Sequence, residues 1–323
     1  MSIADRKSSA RWALLVVGIL LASLAVPWLR QQSAPDQLTV YCAHDSIFAD
    51  EIIRLFEQRS GIRVNVRYDT EANKSLGLTN LLLEERAAPR CDVFWNNQAL
   101  GTMRLQREGI LQPFQAENAV RIPDRYKDPT GAWTGFGGRL RVYLVNTERC
   151  PFTDTAELEQ ALQSEPLDDV AIAVPLFGTT LSHYSAICSE RSLTGLLQWH
   201  QSLHQRGIRE VRGNSGVKDL VAEGVCRFGL TDTDDAFAAI DRGKPVRMIP
   251  ARLPSQATIC IPNSVAIIQG CRHEELAKQF VNFLLSEEVE LRLAQSASRQ
   301  IPLGAIDESQ LPEDVRQLRA AAA

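Results

Sequence analysis

The sequence has no excess of basic residues: 35 Lys and Arg stand against 39 Asp and Glu, which gives a formal net charge of -4. Proteins that bind nucleic acid usually carry a basic patch or tract, so nucleic acid is not an expected partner. The sequence also lacks the G-x-S-x-G, H-E-x-x-H and Walker patterns, which serve hydrolases, zinc proteases and nucleotide-binding enzymes. These absences predict a binding protein and not an enzyme.

The seven cysteines are scattered and form no C-x-x-C pair, so neither a cysteine zinc site nor a thioredoxin-like redox motif is indicated. In an oxidising compartment some of them could pair, and an odd number leaves at least one thiol unpaired. The sequence does not determine the pairing. Cys226 and Cys260 lie in apolar runs, where cysteine usually packs as a small hydrophobic residue.

A basic segment that ends at Arg11 precedes an uncharged, mostly apolar run at 12–28. This is the pattern of a signal peptide, and the run is also about as long as the shortest membrane anchors. We assign residues 1–30 to a signal peptide or an N-terminal membrane anchor and 31–37 to a linker. The remainder is then expected in the periplasm or on the extracellular face, and an uncleaved segment would hold it at the inner membrane.

Beyond the linker, strand and helix patterns alternate. Apolar residues predict strands at 38–41, 62–68 and 91–95, each followed by a helix. Gly61 is expected to end the first helix. A second series of the same kind runs from 170 to 242. Such alternation is typical of an α/β protein with mainly parallel sheets.

Polar residues recur where the first three predicted strands end. Carboxyl ends of parallel strands lie along one edge of a sheet, where α/β proteins bind ligands. The residues at these ends are His44, Asp45, Thr70, Glu71, Asn96 and Asn97. Glu71 also fits the role of a helix cap.

An acidic run from Thr231 to Asp235 follows a predicted strand at 227–230 and precedes a helix predicted at 236–242. Burying its carboxylates without a partner would be costly, so the run predicts a binding site. It does not fit an EF-hand loop, which needs Asp or Asn where Ala236 stands. Capping of the next helix by Asp232 is the alternative interpretation.

Two arginines and two predicted helix starts suit an anion. Guanidinium groups and helix N-termini both bind phosphate and carboxylate groups. The candidates are Arg139, Arg141, Thr179, Thr180, Asn214 and Ser215. N-capping and salt bridges to the acidic run are the alternative roles. The histidines at 183, 200, 204 and 273 are expected on helix faces or at the surface and not as ligands.

Several phrases between residues 38 and 305 resemble the extracellular solute-binding proteins of ABC importers, and they are most similar to the ferric-iron-binding branch. The phrases are Val40-Tyr41, Ser60–Val64, Asp92–Trp95, Arg107–Leu111, Ile261–Ala266, Ala277–Ser286 and Gln300–Leu303.

The resemblance implies a two-lobe periplasmic-binding-protein fold of type II, in which each lobe is a mainly parallel sheet flanked by helices. Two crossing strands, within 134–147 and 257–268, would join the lobes. Lobe 1 would contain 38–138 and 257–323, and lobe 2 would contain 139–256. The implied partners are an ABC permease and its ATPase, and we expect a monomer that closes on its solute by a hinge.

Members of the ferric branch hold iron with two adjacent tyrosines, often with a histidine and a glutamate. Asp234 and Asp235 stand at the tyrosine positions here, Asn97 stands where the glutamate is expected, and His44 lies close to the histidine position. The resemblance therefore implies Fe³⁺ as the transported solute and no resident cofactor. The implied metal ligands are Asp234, Asp235, His44 and Glu71, with Asp232 and Asn97 beside them.

Three alternatives stay open on the sequence alone. Relatives also bind sugar phosphates and phosphonates, so a small organic anion is a second solute class. An exported metal-dependent hydrolase or phosphatase that uses Asp232 to Asp235 belongs to another class and would need an open coordination position for water. A receptor subunit that reports solute to a membrane sensor is the third.

Overall fold

The computed structural model describes residues 37–69 and 75–322. Along them the elements follow in the order β1 (Gln37–Cys42), α1 (Ser46–Ser60), β2 (Arg63–Tyr68), α2 (Leu76–Glu84), β3 (Val93–Asn96), α3 (Leu100–Arg107), β4 (Leu111–Gln112), β5 (Thr134–Asn146), α4 (Thr155–Ser164), β6 (Val170–Ala173), α5 (Gly178–Gln205), β7 (Arg209–Val211), α6 (Asn214–Ala222), β8 (Phe228–Asp232), α7 (Thr233–Ile240), β9 (Val246–Pro250), β10 (Cys260–Ile268), α8 (Glu274–Leu284), α9 (Glu287–Gln295) and α10 (Glu313–Ala322).

The N-terminal segment predicted at 1–30 lies outside the described residues, as does the linker except for Gln37. Within the described ranges, no helix combines the length and the apolar character that a membrane crossing requires.

The strands form one sheet in the order β2-β1-β3-β10-β5-β8-β6-β7, with β4 added beside β10 and β9 beside β5. On one flank β1 pairs parallel with β3, and on the other β6 pairs parallel with β7 and β8. At the centre β10 and β5 run antiparallel to each other and to their neighbours. Helices join the parallel strands, so the predicted two-lobe α/β fold class is confirmed. The lobe boundaries given above stay a prediction.

Strand β5 passes from one half of the sheet to the other. Its 13 residues are all buried. The segment up to Leu140 pairs with β10, and the segment from Arg141 onward pairs with β8 and β9. Arg141 stands opposite Asp232 in the register with β8. The change of partner strand therefore falls between Arg139 and Arg141, and it places both arginines at the boundary of the two halves.

Side chains of β5 alternate between two apolar cores, as a strand with a period of two residues requires. Tyr143 and Val145 pack in a cluster with Phe228, whereas Val142 and Leu144 pack in a second cluster that includes α6 and α7. Burying one such aliphatic or aromatic side chain contributes about 1.5–3 kcal/mol. These two cores hold β5 firmly in the second half.

The C-terminal helix α10 contacts apolar clusters on both sides of the molecule. Leu318 belongs to the cluster that contains Val142 and Leu144. Val315, one turn earlier, packs with Ala294 of α9. The helix therefore joins the second half of the sheet to the helices of the first half.

Several elements differ from the sequence prediction. The helix predicted at 236–242 begins at Thr233, directly after β8, so that prediction was wrong by one turn. Asp232 ends the strand in an extended conformation and stands at the N-cap, and Asp234 and Asp235 are favourable in a first helical turn. Strands β4 and β9 and helices α4, α9 and α10 were not predicted. Gly61 ends α1 in the left-handed region, as predicted.

Candidate functional site

A cavity of about 190 Å³ lies where the two halves of the sheet meet. The first half contributes three lining residues: Asp45, Phe48 and Asn97. Arg139 from β5 lines it at the boundary. The second half contributes polar lining residues that follow three neighbouring strands: Thr179, Thr180, Arg212, Asn214, Ser215, Asp232, Asp234 and Asp235. We call this cavity the cleft.

Three helices begin at the cleft because β6, β7 and β8 all end there. Helix α5 starts at Gly178, α6 at Asn214 and α7 at Thr233. Their free N–H groups and positive dipole ends favour negative charge in the space between them. The sequence supplies that charge itself through the aspartates of α7.

The carboxylate of Asp232 accepts hydrogen bonds from three neighbouring side chains. Arg141 Nη1 donates to its Oδ1 at 2.6 Å, and both side chains are about as buried as any in the fold, with 1% and 4% exposed. Thr179 Oγ1 donates to Oδ2 at 2.5 Å, and Asn214 Nδ2 donates to the same oxygen at 2.9 Å. Both oxygens of Asp232 therefore have protein donors, and the arrangement fixes α5, α6 and β8 to one another.

Arg141 is surrounded on its other sides as well. Its Nη1 donates to Asn214 Oδ1 at 3.1 Å, and its Nε donates to His183 Nδ1 at 3.5 Å. Burial, together with the nearby Arg141 charge, lowers the pKa of His183 well below its usual value. His183 thus accepts from the guanidinium as a neutral imidazole. It lies on helix α5, but it is buried and not at the surface.

Asp234 and Asp235 face the cleft from the first turn of α7. Arg139 Nη1 lies 3.6 Å from Asp234 Oδ2, and Thr231 Oγ1 donates to Asp235 Oδ2 at 3.0 Å. Burial and the neighbouring carboxylates of Asp234 and Asp232 raise the pKa of Asp235 to about 8. The carboxylate oxygens of these three aspartates lie within 4.8 Å of one another, which is close enough to share one cation.

A buried hydrogen-bond chain leads from the cleft to His44. Arg139 Nη2 donates to Asn263 Oδ1 at 3.0 Å, and Asn263 Nδ2 donates to Gln300 Oε1 at 2.7 Å. Gln300 Nε2 lies 2.9 Å from His44 Nε2, and because the amide nitrogen can only donate, the imidazole accepts. His44 is therefore linked to Asp234 through Arg139, although it does not itself line the cleft.

The charge of Arg139 is stabilised by this setting. Burial alone would lower its pKa, but Asp234, Asp232, Asp45 and Asp235 raise it above its usual value. A guanidinium with a carboxylate on one side and an amide on the other keeps a fixed orientation. Arg139 can therefore present its charge to an anion or balance the aspartates.

The structure brings ten of the residues predicted for the site to the cleft lining: Asp45, Asn97, Arg139, Thr179, Thr180, Asn214, Ser215, Asp232, Asp234 and Asp235. His44 and Arg141 lie behind this lining and contact it through neighbours. Glu71 lies outside the described residues.

The sequence prediction missed other residues of the site. Arg212 lines the cleft, and its place at the end of β7 could have indicated it, because strand ends indicated the rest. Asn263 and Gln300 support the site through contacts that span long separations in the chain, and no local pattern reveals such contacts.

A two-lobe α/β fold with a polar cleft between its halves defines the class of periplasmic binding proteins. The chain belongs to the family of bacterial extracellular solute-binding proteins, whose model matches residues 38–296. The resemblance stated from the sequence is thereby confirmed. The family consists of solute-binding proteins, which is consistent with the binding role expected from the sequence.

Three known proteins illustrate the similarity. The major ferric iron-binding protein of Neisseria meningitidis is 23% identical over 87% of this chain and 83% of its own length. Iron-bound HitA from Pseudomonas aeruginosa superposes with a TM-score of 0.73 at 22% identity, over 84% of this chain and 87% of that one. The periplasmic protein AfuA from Actinobacillus pleuropneumoniae, with fructose-6-phosphate bound, gives 0.71 at 18% identity, over 88% and 97%.

Proposed function

We propose that this chain is the solute-capturing component of an ABC importer, and that it takes up ferric iron in the cleft and passes it to a permease driven by an ATPase. The observation that carries this proposal is that three carboxylates lie within 4.8 Å of one another at the N-terminus of α7. Carboxylate oxygens are hard donors that suit highly charged cations. The relative from N. meningitidis is named for ferric iron, which supports the same choice.

Asp234 and Asp235 are the principal iron ligands in this proposal. Asp232 is less suited to the role because Arg141, Thr179 and Asn214 already donate to its two oxygens. The positions that resemble the tyrosine pair of ferric-binding relatives thus keep oxygen donors in a different chemical form. Carboxylates replace phenolates, and none of the described residues that line the cleft is a tyrosine.

The first half of the sheet completes the coordination when the lobes close. Asp45 and Asn97 line the cleft opposite α7 and offer further oxygen atoms. A cation that contacts ligands on both lobes favours the closed state by its difference in affinity for the two states. His44 supports the site from behind, through Gln300 and Arg139, and does not bind the metal directly.

An anion next to the metal suits the remaining cleft surface. The N-termini of α5 and α6, together with Arg139 and Arg212, present donors and positive charge to the same cavity. A cavity of about 190 Å³ has room for more than a bare ion. We therefore include carbonate or phosphate as a second ligand of the iron.

The test uses the full-length chain in mild detergent after removal of metal with a chelator. Fe³⁺ is supplied as its nitrilotriacetate complex, with and without carbonate or phosphate, and bound iron is measured after gel filtration. We expect one iron per chain, with no visible band from phenolate-to-iron charge transfer. Asp234→Asn with Asp235→Asn should abolish binding, whereas the exposed Glu223→Gln should behave as wild type.

Retention of one tightly bound iron by the double variant would reject the aspartates as ligands. Absence of iron binding by the wild-type chain would reject ferric iron as the solute.

A small organic phosphate is the second candidate solute. The three helix N-termini and the two cleft arginines favour it, and the similar protein AfuA was crystallised with fructose-6-phosphate. In a separate thermal-shift measurement on the same metal-free protein, a rise in melting temperature with fructose-6-phosphate and not with Fe³⁺ would assign this solute class. Arg212→Gln should then remove the shift.

A further inference from the structure

Outside the cleft, two histidines and a glutamate converge at the edge of the sheet. His200 and His204 lie four residues apart in α5, after a break in the helix at Ser192, so they share one helix face. Glu210 lies in β7, the outermost strand on that side. Ligand atoms from the three side chains all fall within 4.8 Å of one another.

The distances match those between ligands of one tetrahedral metal ion. The two Nε2 atoms are 3.2 Å apart. His200 Nε2 lies 3.3 Å from Glu210 Oε1, and His204 Nε2 lies 3.3 Å from Oε2. With metal–ligand bonds of about 2.0–2.1 Å, ligands of a tetrahedral zinc ion are separated by about 3.3–3.4 Å.

Hydrogen bonds alone do not satisfy this arrangement. Each Nε2 atom holds at most one proton, yet it faces both the other imidazole and one carboxylate oxygen. Three contacts thus share at most two protons, and no pair of tautomers supplies all three. Glu210 Oε1 is buried and accepts no hydrogen bond from the described residues. A cation between the three groups would accept one lone pair from each imidazole and one from the carboxylate.

A further contact orients one histidine for this role. His200 Nδ1 lies 3.0 Å from the hydroxyl of Tyr184. When Nδ1–H donates to that oxygen, the neutral imidazole turns the lone pair of Nε2 toward His204 and Glu210. Metal-binding histidines usually donate their second ring N–H to such a partner.

We propose that His200, His204 and Glu210 form a second, separate site for a borderline divalent metal ion such as Zn²⁺. Two imidazoles and one carboxylate are a common donor set for zinc, and two histidines at i and i+4 on a helix often supply part of it. The side chain of His204 is 47% exposed, so the fourth coordination position is open to water. The metal would fasten the second part of α5 to β7.

The position of this site ties it to the cleft by strand geometry. Arg212, which lines the cleft, follows Glu210 by two residues. Only Val211, the last residue of β7, separates the two. Metal binding at Glu210 would therefore steady the segment that carries Arg212 and leads into α6.

The test uses the full-length chain that carries Asp234→Asn and Asp235→Asn, so that the cleft carboxylates do not take up the probe. After treatment with a chelator, Zn²⁺ is titrated in competition with a chromogenic chelator, and Co²⁺ is added separately as a spectroscopic probe. We expect one equivalent of Zn²⁺ and the intense visible Co²⁺ bands of a tetrahedral site. His204→Gln should lower zinc affinity at least tenfold and remove these bands.

Glu210→Gln keeps the size of the side chain and should have the same effect, which gives a second variant if the first fails to fold. Glu223→Gln, at an exposed position directly after α6, should leave zinc affinity and the Co²⁺ spectrum unchanged. The proposal is overturned if the parent protein binds no zinc in competition with the chelator. It is also overturned if both ligand variants bind zinc as the parent does.

Discussion

Replacement of Asp232 by alanine should destabilise the protein far more than any change at the surface. The variant leaves the Arg141 guanidinium in a buried site without its carboxylate, and it removes the shared acceptor of Thr179 and Asn214. Loss of one partner from a buried ion pair costs about 3–5 kcal/mol, since the other charge stays buried and unpaired. That is a large share of a typical unfolding free energy of about 5–15 kcal/mol.

Urea denaturation followed by tryptophan fluorescence and circular dichroism measures this loss. The midpoint should fall while the slope of free energy against urea concentration is unchanged. Arg141→Met alone should lose a similar amount, because Asp232 then stays buried without its cation. The double variant should lose much less than the sum, with a coupling energy of about 2 kcal/mol or more, because no charge is left without a partner.

Asp241→Ala provides the matched control. Asp241 also pairs with an arginine, Arg299, at 2.8 Å, but its side chain is 43% exposed. Such surface pairs contribute about 0–1 kcal/mol. The reasoning fails if Asp232→Ala loses no more stability than this control, since Arg141 would then have found solvent or another acceptor.

The remaining predictions concern other buried carboxyl groups. The pKa of Asp235 is raised to about 8 in the folded chain, so its protonation favours the folded, metal-free protein. This contribution to the free energy of unfolding is complete below about pH 4 and disappears as the pH rises toward 8. Asp235→Asn carries a neutral side chain at every pH, so the melting temperature of the variant should vary less between pH 5 and pH 8 than that of the wild type. Equal pH profiles of the two proteins would contradict this account. Glu290 is fully buried and accepts from Arg121 at 2.6 Å and from backbone N–H groups of Gly137 and Leu303. Glu290→Gln should cost about 2–4 kcal/mol of unfolding free energy in urea titration, and a loss below about 0.5 kcal/mol would show that the amide replaces the carboxylate.

Local patterns were sufficient to predict most of the α/β architecture. The strands near the N-terminus show clear apolar alternation, and Gly61 marks the end of α1 by its left-handed backbone. Helix α7 begins earlier than predicted because Asp232 serves at once as the last strand residue and as the N-cap. Strand β9 contains an arginine and a proline and is held by its pairing with β5, so its own composition did not reveal it.

The candidate site likewise contains residues that local patterns predict and contacts that only the folded chain creates. Residues at strand ends, such as Asn97 and Thr179, could be predicted because topology alone gathers them at one edge. Salt bridges from the arginines to the acidic run are an alternative role that the sequence suggests, but the sequence could not show which aspartate is paired, because Arg141 meets Asp232 only when β5 pairs with β8. The cluster around Glu210 was equally hidden, since only the folded chain sets β7 against the second part of α5.

Strand β5 also has a mechanical consequence. It pairs with strands of both halves of the described sheet, with β10 up to Leu140 and with β8 from Arg141 onward. When two bodies rotate about a shared strand, points near the strand move least and distant points move furthest. The two arginines would thus move little when the lobes close, and Asn97 and Asp45 would move toward them. The geometry around Arg139 would therefore be set before the solute arrives.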